Sequence, residues 1–127
     1  MKSKLPSISG AEWEVMKVIW KSGPCTAQVV IDALSGPNEW TVSTIKTLLG
    51  RLLAKGALSH EKNGKAFVYA AVHGEADYRA AEADSFLDRF FDGALSPLFA
   101  HFASTRKLRK RDIDEIEQIL RASKRKP

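Results

Sequence analysis

The chain has 127 residues, enough for one ordinary domain or two small modules. Hydrophobic residues make up 44% and charged residues 28%, a globular composition that excludes collagen-like and low-complexity classes. Lys and Arg number 20 against 15 Asp and Glu, for a net charge of +5, which favours a polyanionic partner.

Ser9-Gly10-Ala11-Glu12 has the spacing of a capping box, and Trp13, Val15, Met16, Ile19 and Trp20 follow at helical intervals. They predict a first helix over about 10–21, stopped by Ser22-Gly23-Pro24. Thr26 is positioned to cap a second helix through Ala27, Val29, Val30, Ala33 and Leu34, which Ser35-Gly36-Pro37-Asn38 closes. Thr41 caps a third, whose Ile45, Leu48, Leu49, Leu52 and Leu53 form an apolar stripe, and Gly56 sits where a left-handed residue ends a helix. After Gly56 the period changes. Residues 57–62 and 66–72 read as strands, joined at Asn63-Gly64, where both residues tolerate the positive φ of a tight hairpin turn.

A long helical stretch from about 75 to 92, and the residues just beyond it, carry Phe86, Leu87, Phe90, Phe91 and Leu95 on an apolar side. Ser96-Pro97 reads as the N-cap and first residue of a short helix through Leu98, Phe99 and Phe102. A last helix, about 112–123, carries Ile113, Ile116, Ile119 and Leu120, with Arg106 to Arg111 as a loop or frayed start.

Charge divides the chain into three blocks: residues 1–72 carry +4, residues 73–104 carry −4 and residues 105–127 carry +5. The middle block holds five of the six Phe. An acidic, aromatic helical segment makes a poor DNA surface and a good oligomerisation element. The expectation is therefore a DNA-binding domain over 1–72 and a helical dimerisation region over 73–127. Its apolar set is Phe86, Leu87, Phe90, Phe91, Leu95, Leu98, Phe99, Phe102, Ile113, Ile116 and Leu120.

Three helices followed by a two-stranded hairpin form a winged helix-turn-helix, so the fold class is mostly α with a small β-hairpin wing. The third helix is the candidate reader. Opposite its apolar stripe lie Ser43, Thr44, Lys46, Thr47, Gly50 and Arg51. Short polar side chains permit close approach to a duplex, and Lys46 and Arg51 can reach phosphates or guanine edges. Lys62 and Lys65 flank the hairpin turn and suit backbone contact. A solvated helix face and a hairpin kept soluble by lysines would carry the same residues. A winged-helix protein-interaction module without sequence-specific DNA binding is the alternative reading.

Residues 8–72 resemble the penicillinase-repressor family, the BlaI/MecI-type repressors. The resemblance rests on Ser9–Trp20, Trp40–Leu58 and Lys65–Tyr69 and continues more weakly past residue 75. It implies a homodimer whose C-terminal helices interlock and whose winged domains bind an inverted-repeat operator. It also implies inactivation by proteolysis in the C-terminal region, by or downstream of a membrane sensor protease. The bond aligned with the family's scissile one is His101-Phe102, with His where the family has Asn.

An enzyme is not expected, because no nucleophile–base pair or phosphate loop stands out. Neither a metal nor a cofactor is expected. The single cysteine, Cys25, excludes an internal disulfide or a CxxC site, and His60, His73 and His101 are far apart in sequence. No apolar run approaches the roughly 20 residues of a membrane span. The opening Met1-Lys2-Ser3-Lys4-Leu5-Pro6 has no signal-peptide stretch, so a soluble, cytoplasmic protein is expected.

Overall fold

Ser9 and Glu12 close the capping box that starts α1 (Gly10–Ser22). The Glu12 N–H donates to Ser9 Oγ at 3.1 Å, and the Ser9 N–H donates to Glu12 Oε1 at 2.9 Å. The computed structural model describes residues 5–105 and 108–124. They form two compact units, one ending at Glu82 and the other beginning at Ala83.

In the first unit, α1 is followed by β1 (Cys25–Thr26), α2 (Ala27–Asn38), α3 (Val42–Lys55), β2 (Leu58–Asn63), β3 (Ala66–Ala71) and the start of α4 (Glu75–Phe91). The core comes from one stripe per helix: Val15, Met16 and Ile19, then Val30, Ile31 and Leu34, then Ile45, Leu48, Leu49 and Leu52. Each fully buried side chain of this kind contributes about 1.5–3 kcal/mol, so the stripes outweigh any single cap. On α2 the buried line runs through Val30, Ile31 and Leu34 rather than through Val29, which is 41% exposed, and Ala33, also exposed. Val29 and Ala33 fall off the line that faces α1 and α3.

The Ser35-Gly36-Pro37-Asn38 stretch does not close α2 early; the helix runs through it to Asn38. Pro37 forfeits one ladder bond, the one its N–H would have made to the Ala33 carbonyl, and with a single helical residue after it the loss does not stop the helix sooner. The Asn38 amide donates to the Leu34 carbonyl at 3.2 Å, and Glu39 turns left-handed at φ 55°. Thr41 caps α3 by accepting the Thr44 N–H at 3.1 Å, and Gly56 ends it in the left-handed region at φ 82°.

The wing has three strands, not two, in the order β1-β3-β2. Cys25 and Thr26, extended ahead of α2, pair antiparallel with Tyr69 and Val68. The hairpin keeps the register Leu58↔Ala71 through Asn63↔Ala66, with Gly64 at φ 69° in the turn.

The first unit extends past Val72 because Tyr78, on the first turns of α4, is 1% exposed and belongs to its core. Trp20 lies beside it, with ring centroids 5.7 Å apart, and its indole N–H donates to the His73 carbonyl at 3.0 Å. Trp13 meets Trp20 edge-on at 5.2 Å. The α1 tryptophans are packing residues.

Glu12 is the one buried charged residue among those described, and it pairs with Lys55 at the end of α3, whose ammonium also donates to the Ser7 carbonyl. Burial pushes the Glu12 carboxyl up, but its bonds with Lys55 and Ser9 outweigh that and hold it below its ordinary value near 4.5. A depressed carboxyl stabilises the fold above the unfolded-chain value, and that contribution is lost as the pH falls below about 4.5. Glu12→Gln is expected to cost about 1–3 kcal/mol at pH 7 and to reduce the acid-side slope of stability, measured by thermal melts from pH 7 to pH 3.

The second unit comprises the rest of α4, then α5 (Leu95–Thr105) and α6 (Lys110–Lys124). Asp92 and Gly93, both at positive φ, break the chain after α4. α5 begins at Leu95, so Ser96 is not its N-cap. Pro97 instead lies in the first turn, where N–H groups have no helical partner to lose. α6 begins at Lys110, ahead of the expected 112, and the Arg109 N–H is held by Asp112 Oδ2 at 3.1 Å. Of the expected Arg106–Arg111 loop, Arg106 and Lys107 lie outside the described residues. No described side chain of this unit is buried.

Candidate nucleic-acid interface

On α3, the apolar stripe that fills the core leaves Ser43, Thr44, Lys46, Thr47 and Arg51 together on the outward face, all exposed. Hydrogen bonds within the helix set what two of these hydroxyls offer. The Thr41 hydroxyl donates to Thr44 Oγ1 at 3.0 Å, which leaves the Thr44 proton free for an acceptor such as a phosphate oxygen. The Thr47 hydroxyl donates to the Ser43 carbonyl at 3.0 Å, which commits its proton to the helix backbone and leaves the oxygen able only to accept. Lys46 and Arg51 carry positive charge along the same face.

Lys62 and Lys65 are exposed on either side of the Asn63-Gly64 turn. The register puts Lys62 opposite Phe67 and His60 opposite Tyr69, so these four side chains share one face of the sheet. Between that face, the start of α2 and α3 runs an open groove lined by Thr26, Ala27, Gln28, Lys46, Ala66, Phe67 and Tyr69. Thr26 makes no side-chain cap to α2, so the first N–H groups of that helix are unclaimed by it. The sequence offered Thr26 only as a helix cap and did not mark Gln28 or Phe67 as site residues, because three separate elements bring them together.

Cys25 is a buried free thiol. Among the described residues, no group of three or more His, Cys, Asp and Glu could hold a metal ion. The amphipathic α3, the basic wing and the groove between them define a winged-helix DNA-binding domain.

The profile of the family described as Penicillinase repressor matches residues 8–122. The penicillinase repressor of Bacillus licheniformis is 44% identical over 121 residues, covering 95% of this chain and 94% of that protein. The methicillin resistance regulatory protein MecI of Staphylococcus aureus strain N315 is 32% identical over 120 residues, covering 94% and 98%. Among solved structures, the DNA-binding domain of the repressor BlaI superposes with a TM-score of 0.54 at 49% identity, covering 61% of this chain and 94% of that one. Monomeric Bacillus licheniformis BlaI, in complex with the blaP half-operator, superposes with a TM-score of 0.53 at 51% identity, covering 59% and 92%. The chain belongs to the penicillinase repressor family. It is a DNA-binding transcriptional repressor and not an enzyme.

Proposed function

We propose that this repressor acts in the cytoplasm as a homodimer on an inverted-repeat operator, of the kind that controls β-lactamase and penicillin-resistance genes. α3 reads the major groove through Ser43, Thr44, Lys46, Thr47 and Arg51, and Lys62 and Lys65 of the wing hold the backbone. The observation that carries the reading is the division of α3 into a buried apolar stripe and an exposed polar, cationic face beside a basic wing. The BlaI structure bound to a half-operator supports it. Lys46→Ala is expected to weaken binding to operator and mixed-sequence duplexes alike and to reduce the salt slope by about one for each bound subunit, read from filter binding across a salt series. An unchanged slope would remove Lys46 from the phosphate contacts.

Pairing is supported by the second unit. Phe86, Phe90, Leu95, Phe99, Phe102, Ile113, Ile119 and Leu120 are each between 38% and 66% exposed in the single chain. Only Leu87, Phe91, Leu98 and Ile116 of the expected set are half-covered. Intertwining with a second copy would bury this surface.

Repression is relieved by splitting the dimer. A cut at His101-Phe102, by or downstream of a membrane sensor protease, would detach Ile113, Ile116 and Leu120 from the Phe-rich helices. The bond lies inside α5, and the Ser104 and Thr105 hydroxyls both donate to the His101 carbonyl, at 3.0 and 2.7 Å. Cleavage therefore requires this turn to open first. With the chain expressed beside its sensor and inducer added, mass spectrometry is expected to find a fragment ending at His101. Release from DNA with the chain intact would eliminate the proteolytic route.

A further inference from the structure

We propose that Phe67 is a DNA-contacting residue: its exposed ring forms the apolar wall of the groove beside α3, and a deoxyribose of the bound strand packs against it. The inference rests on the DNA-binding reading and extends it to a side chain with no charge and no hydrogen-bonding group.

The geometry follows from the period of the wing. Successive residues of a strand point to opposite faces, so Leu58, His60 and Lys62 share a face with Ala71, Tyr69 and Phe67. Near the helices this face belongs to the core, where Leu58 is 3% exposed and Tyr69 is half-buried. Toward the turn the same face runs clear of the core, and Phe67 is 45% exposed. A face that is apolar where it meets protein and still aromatic where it leaves it asks for a second partner.

Two features of the groove identify that partner as a nucleic-acid backbone. Lys46, on the outward face of α3, lines the groove with Phe67, and Lys62 stands opposite Phe67 across the hairpin, while no lining residue is acidic. The groove is also continuous with α3, through Lys46 itself. Apolar carbon and anionic oxygen alternate along a DNA strand, and a ring flanked by two ammonium groups matches that alternation.

The ring is held ready. His60 meets Phe67 edge-on with centroids 4.8 Å apart and lies against Tyr69 at 5.9 Å, so Phe67 has a packed side and an open side. Little side-chain freedom remains to be lost on binding. His60 is a positioning residue in this arrangement.

An apolar contact leaves a signature that a lysine does not. It strengthens binding without releasing counterions, so its loss lowers affinity and leaves the salt dependence unchanged. Being directed at the sugar, it acts on any duplex. The full-length protein is compared with Phe67→Ala, Phe67→Leu and Lys65→Ala on a mixed-sequence duplex and on an operator selected from a random pool, across a salt series. Phe67→Ala is expected to weaken both complexes by at least threefold, and by roughly three- to tenfold for each bound half, from covering the exposed part of the ring. The salt slope should not change. Phe67→Leu, which keeps an apolar wall, is expected to recover most of the loss, and it carries the test if Phe67→Ala melts at a lower temperature than the parent. Lys65→Ala should reduce the slope by about one for each bound half.

The proposal is overturned if Phe67→Ala binds within threefold of the parent. It is also overturned if the loss comes with a change of slope, falls on the operator alone, or is not recovered by leucine. If Lys65→Ala and Phe67→Ala both leave binding untouched, the wing as a whole is not at the DNA, and the broader reading of the wing fails with this one.

Discussion

Phe90→Glu combined with Leu120→Glu is expected to leave the chain folded, make it monomeric at micromolar concentration and weaken operator binding by roughly 10²–10⁴-fold. In the single chain these side chains are 62% and 53% exposed, so replacing them with carboxylates removes little intramolecular packing. In the proposed dimer the same positions would be covered and the carboxylates buried without partners, which costs several kcal/mol per charge. The large loss on DNA follows from linkage. Once one half of a dimer is bound, the other sees its half-site at an effective concentration near millimolar, and avidity of 10²–10⁴ is lost when the halves separate. The reading helix is untouched, so binding to an isolated half-site should survive. Light scattering, circular dichroism and titrations on half-site and full-site duplexes separate these effects. Should the parent be monomeric at micromolar concentration, or the double variant remain dimeric, the exposed apolar surface has another purpose.

Local chemistry made most of the first unit legible. The Ser9/Glu12 capping box, the Thr41 cap, the α3 stripe and the Gly56 terminus each depend on residues within a turn of one another, and each stands in the structure as read. What was misread depends on distance along the chain. Pro37 looked like a helix breaker, yet one residue before the end of α2 it costs only a single bond of the last turn. β1 is two residues long and exists only because β3 comes back beside it. The groove combines Gln28, Lys46 and Phe67, whose three elements meet only after folding. The domain boundary was placed by charge at residue 72. Packing carries the first unit to Glu82, because one aromatic residue in an acidic stretch, Tyr78, turns inward.

That residue yields the second large effect. Tyr78→Ala is expected to destabilise the first unit by about 3–5 kcal/mol, the range for deleting a large aromatic side chain from a closed core. Each kcal/mol lowers the melting midpoint of a domain this size by about 4–8 °C, so the variant would be largely unfolded under conditions where the parent is stable. A fragment ending at Val72 lacks Tyr78 altogether and should be unstable for the same reason, whereas one ending at Glu82 should fold. Tyr78→Phe should act in the opposite direction. The Tyr78 hydroxyl is buried and has no hydrogen-bond partner among the described residues, so removing it relieves a desolvation cost and should gain about 1 kcal/mol. Burial also pushes the Tyr78 phenol above its ordinary value near 10.0. With the folded value raised, the stabilisation is complete below pH 10 and declines above it, as the unfolded chain ionises while the folded one holds its proton. Tyr78→Phe removes this alkaline decline. Melts of the three proteins between pH 7 and pH 11 test the scheme: a Phe variant less stable than the parent at pH 7 would mean that the hydroxyl has a partner, and a mild Ala variant would mean that the core closes without the ring.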